Sequence, residues 1–237
     1  MKTIVVIPTY NECDNIRNII AAVLNALDGV HVLIVDDNSP DGTADMAREI
    51  KATDPRVFLI VRPGKMGLGT AYCEGFAWAL SNGYEAIMEM DADFSHDPAD
   101  IPRFIKELEN ADVIIGSRYS NGVNVVNWPL KRLILSYSAN LYTRIITGMP
   151  VKDATGGFKA FRAEALRLVD FSKIHSNGYA FQIEMNYRLW RAGARVKEIP
   201  IVFIDRRSGV SKMSRNIVYE AARLVWKLKF LDIIGRL

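Results

Sequence analysis

Two aspartates one residue apart, Asp91-Ala92-Asp93, follow the apolar run Ala86–Met90. In an extended segment, carboxylates two positions apart point the same way. Like charges so close need a neutralising partner, and a hard divalent cation that also binds a diphosphate would serve. Such a cation stabilises charge developing on a departing nucleotide. A lone Asp-x-Asp is common and usually marks a turn. Here a strand precedes it, and a second acidic pair, Asp36-Asp37, ends a neighbouring strand.

The other candidate groups each have a plainer reading. Asp36-Asp37 either caps the turn through Pro40-Asp41-Gly42 or accepts hydrogen bonds from a base or ribose. Pro8-Thr9-Tyr10-Asn11-Glu12 either starts a helix or offers Tyr10 for stacking and Glu12 as an acceptor. Gly67-Leu68-Gly69 lacks the GxGxxG pattern directly after the first strand, which argues against a dinucleotide site. Arg118, Arg132, Arg206, Arg207 and Lys212 lie in or beside loops. Guanidinium forks match phosphate oxygens, although each cation alone reads as a surface charge. His31, His96 and His175 are not spaced as metal ligands, but His96 is close to the aspartate pair.

What positions these groups is an alternation of strands and helices. Strands are expected at Thr3–Ile7, Val30–Val35, Val57–Val61, Ala86–Met90 and Val113–Ile115. Helices are expected from an Asp14 cap through Leu27, from Thr43, and over Thr70–Leu80 and Ala99–Glu109. The class is α/β: an open, mostly parallel sheet with helices on both faces. Ligands in such sheets lie beyond the carboxyl ends of the strands. Pro8–Glu12, Asp36-Asp37, Asp91–Asp93 and Ser117-Arg118 should therefore converge on one crevice.

The second half is less regular. Helices are expected at Leu130–Thr147 and Phe181–Ala192, strands at Phe158–Phe161 and Val196–Phe203, the latter interrupted by Pro200. A last helix runs from Arg215 to about Leu231. Ile217, Val218, Ala221, Leu224, Val225, Leu228 and Leu231 make one apolar face of it, with Tyr219, Trp226 and Phe230 opposite among basic residues. That second side either packs on the domain or meets an anionic membrane surface.

With 237 residues, 49% of them hydrophobic, the chain suits one large domain. Residues 1–117 hold 9 Lys/Arg against 19 Asp/Glu, a balance of −10; residues 118–237 balance at +13. The acidic half suits a cation, the basic half phosphates or anionic lipid. No nucleic-acid motif accompanies the basic residues, so nucleic acid is not an expected partner. No apolar run approaches the ~18–20 residues that span a bilayer. Cys13 and Cys73 form no CxxC pair, which fits a cytoplasmic location.

Taken together, the motifs resemble inverting glycosyltransferases of family two, and within them the polyprenol-phosphate mannosyltransferases of dolichol-phosphate mannose synthase type. Pro8–Glu12, Val35–Thr43 and Asp91–His96 carry the broad likeness. Gly116–Tyr119, Asn127–Arg132, Asp153–Phe158, Gly178–Glu184, Asp205-Arg206 and Ser211-Lys212 carry the lipid-phosphate branch. The resemblance implies a GT-A fold, GDP-mannose as donor and a polyprenyl phosphate as acceptor. It implies that Pro8, Tyr10, Glu12, Val35 and Asp37 hold the nucleotide. Asp91 and Asp93 would hold Mg or Mn, with Ala92 against the donor. Arg118, Arg132, Arg206 and Lys212 would grip the donor and acceptor phosphates. Some relatives carry a Gln metal ligand where this chain has Ser95, which leaves the third ligand open. Residues 1–117 then form the nucleotide and metal half, 118–214 the acceptor half and 215–237 an amphipathic helix of one domain. Where relatives append membrane-spanning helices, this chain would lie on the membrane or use an anchoring subunit.

An anionic acceptor oxygen needs positioning and charge neutralisation more than a base. The alternatives are a family-two enzyme using UDP-glucose or a hydroxyl acceptor, with Asp153 as base; a sugar-nucleotide pyrophosphorylase; and a non-catalytic binding subunit. The Pro8-Thr9-Tyr10 segment argues against the second and the intact Asp91, Asp93 and arginine set against the third.

Overall fold

In a computed structural model, residues 1–205 and 215–237 are described, without the side chains of 215–218. The described strands are β1 (Thr3–Thr9), β2 (His31–Asp36), β3 (Val57–Val61), β4 (Ala86–Glu89), β5 (Val113–Ser117), β6 (Val125–Val126), β7 (Lys159–Arg162), β8 (Val196–Pro200) and β9 (Phe203–Ile204). Seven form one sheet in the order β3-β2-β1-β4-β7-β5-β8, while β6 and β9 pair separately. Pairing is parallel except at β7, which runs antiparallel to β4 and β5.

Helices α1 (Ile16–Ala26), α2 (Thr43–Thr53), α3 (Leu68–Ser81), α4 (Ile101–Glu107), α5 (Leu130–Thr147), α6 (Ala163–Leu166), α7 (Gly178–Arg191) and α8 (Arg215–Ile233) accompany the sheet. The period of two in β1 shows why both faces are covered. Ile4 and Val6 enter a core with Tyr72 and Phe76 of α3, Phe181 of α7 and Val225 of α8. Val5 and Ile7 enter a second core with α1, α2 and α4. The chain builds β1, β2 and β3 outward and then returns to place β4 on the other side of β1. A crevice opens at such a reversal.

Several boundaries differ from expectation for local reasons. Asp14 does not cap α1; the Glu12 carbonyl accepts the Asn15 and Ile16 N–H groups at 3.0 and 2.9 Å. The strand expected over Val196–Phe203 breaks after Pro200, and β9 leaves the main sheet to pair with β6. The helix expected from Ala99 starts as a 3-10 turn, Pro98–Asp100, before α4. Leu130–Thr147 is helical as expected. The Gly-Leu-Gly segment serves packing at its second glycine: a Cβ on Gly69 would stand 2.3 Å from the Ser176 carbonyl oxygen. On the same helix, a Cβ on Gly75 would meet Val6 at 2.4 Å.

Helix α8 buries Val225 and Leu228, and its Asp232 accepts from Tyr187 at 2.9 Å and Arg191 at 2.7 Å. Its aromatic side does not pack on the domain: Tyr219, Trp226 and Phe230 are 58–66% exposed. Leu130, Ile134, Tyr137, Leu141 and Ile145 make a similar exposed stripe along α5. Among the described residues no helix is long and apolar enough to cross a membrane.

Candidate active site

The carboxyl ends of β1, β2, β4 and β5 meet in one cleft of about 480 Å³, within the usual range for a small-molecule site. Pro8, Tyr10, Glu12, Asp37, Asp91, Ala92, Asp93, Ser95, Arg118 and Arg132 all line it. Val35 does not: its side chain is fully buried in the core, because alternation along β2 turns it beneath α3. Arg206 and Lys212 lie outside the described residues, as does Arg207.

The two members of the first acidic pair part company. Asp36 is buried and structural, accepting from Thr9 Oγ1 at 2.7 Å and from the Ser39 N–H and Oγ at 2.8 and 2.6 Å. Asp37 faces the cleft, takes the Met66 and Gly67 N–H groups at 3.1 Å each, and pairs with Arg62 at 2.7 Å. Arg62 is almost fully buried and also reaches Thr70 Oγ1 at 2.6 Å. Nothing local in the sequence marks Arg62. Nor does anything local mark Lys65, whose ammonium lies 3.9 Å over the Tyr10 ring at the cleft's edge.

Asp91 and Asp93 lie beyond β4 in a bend, not in an extended run, because Phe94 turns at φ 58° and the Ser95 N–H closes back on Asp93 Oδ1 at 3.0 Å. Both aspartates nonetheless line the cleft. The Asp91 N–H points to His96 Nδ1 at 3.4 Å. His96 is buried and stacked on Phe158 at 5.1 Å between centroids, and burial pushes its pKa down to about 4. A neutral ring at pH 7 leaves Nδ1 able to accept.

Beneath Asp91, Glu89 and Lys159 face each other across β4 and β7, both fully buried, with 2.9 Å between their charged atoms. Lys159 also donates to Gln182 Oε1. A buried ion pair in mid-sheet has no periodic signature; cross-strand register would have been needed to find it.

Just beyond β5, Arg118 is 4% exposed and meets Asp153 in a fork, Nε to Oδ2 at 2.7 Å and Nη2 to Oδ1 at 2.6 Å, with Thr155 Oγ1 at 2.7 Å. Burial alone would raise the Asp153 carboxyl, but Arg118 beside it holds it below its ordinary value. A fully buried, ion-paired carboxylate is no base for a hydroxyl acceptor, which removes the role considered for Asp153. Arg132 donates to Asp205 at 2.8 Å and lies 4.1 Å over the Trp128 ring.

A second groove of about 330 Å³ runs between α5, α7 and α8, walled by Leu135, Tyr142, Ile183, Ala221 and Val225. It shares Arg118, Thr155 and Tyr179 with the cleft, so a chamber lined with charged side chains opens directly beside an almost wholly apolar one.

Among the described residues no three His, Cys, Asp or Glu side chains gather as a metal cage. The aspartate bend still suits a hard cation that takes further oxygens from a substrate diphosphate. The buried Ser95 Oγ has no hydrogen-bond partner among the described residues and borders the same cleft, an oxygen suited to such a site.

A GT-A sheet whose cleft carries an aspartate pair after β4 defines the class, a nucleotide-sugar glycosyltransferase. Residues 4–169 match glycosyl transferase family 2, and the chain belongs to that family. It is 45% identical over 221 residues to undecaprenyl-phosphate mannosyltransferase from Micrococcus luteus, covering 93% of this chain and 91% of that one. It is also 45% identical over 238 residues to polyprenol monophosphomannose synthase from Mycolicibacterium smegmatis, covering 100% of this chain and 89% of the relative. Among solved structures, glucosyl-3-phosphoglycerate synthase from Mycobacterium tuberculosis with phosphoglyceric acid matches at TM-score 0.67 and 15% identity, over 97% of this chain and 80% of that one. Its complex with Mn2+, uridine diphosphate and glucosyl-3-phosphoglycerate matches at TM-score 0.64 and 18% identity, over 99% and 80%. These structures share the fold.

Proposed function

We propose that the protein transfers mannose from GDP-mannose, with inversion, to a polyprenyl monophosphate at the cytoplasmic surface of a membrane. The observation that carries the reading is the junction of the charge-lined cleft with the apolar groove at Arg118, Thr155 and Tyr179. A phosphate with an isoprenoid tail is a ligand of that shape and polarity. Two 45% identical relatives, named for mannose transfer to a polyprenyl phosphate, support the sugar and the acceptor.

In this reading Pro8, Tyr10 and Glu12 surround the nucleotide, and Asp37, braced by Arg62, fixes the loop beside it. Asp91 and Asp93, with Ser95 as a further oxygen, would hold Mg or Mn. When bound, the cation supplies positive charge against the departing diphosphate. The acceptor phosphate carries roughly −1.5 to −2 charges near neutral pH and needs no base. Arg132, the less buried guanidinium, binds it and orients its oxygen toward the sugar carbon. Arg118 stands at the turn from phosphate to tail with its own charge balanced by Asp153. Arg206 and Lys212 join the phosphate-binding set. The exposed aromatics of α8, among Arg223, Lys227 and Lys229, and the apolar stripe of α5 rest in the headgroup layer, directly or beside an anchoring subunit.

Purified protein incubated with labelled GDP-mannose or UDP-glucose, and with polyprenyl phosphate or a free sugar, tests the reading. Label should pass from GDP-mannose into the polyprenyl phosphate fraction with the anomeric configuration inverted. Transfer to a free hydroxyl, and none to polyprenyl phosphate, overturns it.

A further inference from the structure

Tyr72 of α3 is fully buried, packed between the rings of Phe76 at 5.6 Å and Phe181 at 5.7 Å, the latter nearly parallel at 7°. Its hydroxyl oxygen is 3.4 Å from Asp91 Oδ1. A phenol has a proton to give and an ionised carboxylate has none, so the direction of this long hydrogen bond is fixed. The position of the hydroxyl is fixed independently of Asp91. The aromatic stack holds the ring, and α3 is held by the close approach of Gly75 to Val6 and of Gly69 to the Ser176 carbonyl.

The other oxygen, Oδ2, is on the side of Gly157, 3.7 Å from where a Cβ on that residue would stand. Gly157 lines the cleft. The two oxygens of Asp91 thus occupy different surroundings, one against the aromatic core and one toward the chamber. The main chain of Asp91 is held as well, by its N–H to His96 Nδ1.

We infer that Tyr72 is a positioning residue, which takes Oδ1 of Asp91 and thereby turns Oδ2 toward the cleft, where a divalent cation would use it. This rests on reading Asp91 and Asp93 as the metal-holding pair. The partner that orients a ligating carboxylate commonly sets about 10–100-fold of metal affinity. Tyr72→Phe removes one of the contacts that set the orientation of this carboxylate, which also feels the buried Lys159 charge.

Tyr72→Phe keeps the ring and the stack and removes the hydroxyl. Mn2+ binding to the parent, Tyr72→Phe and Asp93→Asn proteins is followed by electron paramagnetic resonance, with and without GDP, beside metal-free thermal melts and the Mn2+ dependence of turnover. In Tyr72→Phe the Mn2+ dissociation constant should rise about tenfold or more. Half-saturating Mn2+ should rise in proportion, with kcat at saturating Mn2+ and the metal-free melting temperature near the parent's. Phe181→Leu, which loosens the ring but keeps the hydroxyl, should weaken Mn2+ binding in the same direction. Unchanged Mn2+ affinity in folded Tyr72→Phe overturns the inference while leaving the metal pair standing. A parent that binds no Mn2+ in either condition, or an Asp93→Asn protein that binds it normally, overturns the metal reading itself.

Discussion

At the end of the cleft proposed for the donor, β1, β2 and β4 run parallel, and Tyr10, Asp37 and Asp91 follow their strands within two residues. At the acceptor end, Arg118 follows β5 but Arg132 comes from α5, and each is met by an aspartate distant in sequence, Asp153 and Asp205. The donor end offers acidic side chains toward the chamber and keeps its balancing cations, Arg62 and Lys159, buried behind them. The acceptor end lines its wall with Arg118 and Arg132, each held by a carboxylate, Asp153 buried behind the wall and Asp205 on it. The sign that dominates therefore differs between the two ends, with Lys65 a cation at the first and Asp205 a carboxylate at the second. That is the arrangement expected where a cation and an anionic phosphate are brought together.

The largest effect should come from breaking the donor end. Asp93→Asn removes one charge from the pair and leaves the fold intact, so turnover should fall by about three orders of magnitude, as several kcal/mol of transition-state stabilisation disappear. Near-parent turnover of the pure variant in chelated buffer would sink the assignment.

Breaking the acceptor end should unsettle the fold as well as the site. Asp153→Asn leaves the Arg118 guanidinium buried without its balancing charge, at a cost of about 3–5 kcal/mol. Denaturant unfolding measures this directly. Because Arg118 holds the folded Asp153 carboxyl below its ordinary value, its contribution is complete above the unfolded value near 3.9 and is lost as pH falls through the folded one. Parent stability should drop on acidification below about pH 4, and the variant should lack that component. A variant as stable as the parent would mean that the two ends are not built on the same plan.

The smallest effect concerns what lies outside both ends. Trp226→Ser/Phe230→Ser should bind anionic vesicles several-fold more weakly than the parent, since two rings leave the interface. Vesicle sedimentation decides: equal binding by both proteins shifts the membrane contact from α8 to α5, and no binding by either shifts it to an anchoring subunit.

The sequence made the donor end readable because its signals are local. Thr3–Thr9 and its successors are continuous apolar runs, each followed at once by polar residues, and alternation with helices fixes where those residues gather. Arg62, Tyr72 and Lys159 were not readable, since what makes each matter is a partner between 19 and 70 residues away. The Val35 side chain belongs to the core, because the motif extends across residues whose side chains alternate between core and cleft. For α8, periodicity found apolar residues on both sides; burial of Val225 and Leu228 with exposure of Trp226 and Phe230 shows which side is committed to the domain.

The groove between α5 and α8 reaches Arg118 from the side, sharing that wall with the cleft. In the proposed function, two ligands meeting there would have separate doors: a nucleotide sugar would enter over the strand ends, and a lipid tail would lie in from between the helices. Neither would have to wait for the other to leave. Binding order would then be random, and the lipid product, seated in its own groove, would slide back to the membrane while the spent nucleotide is still in place.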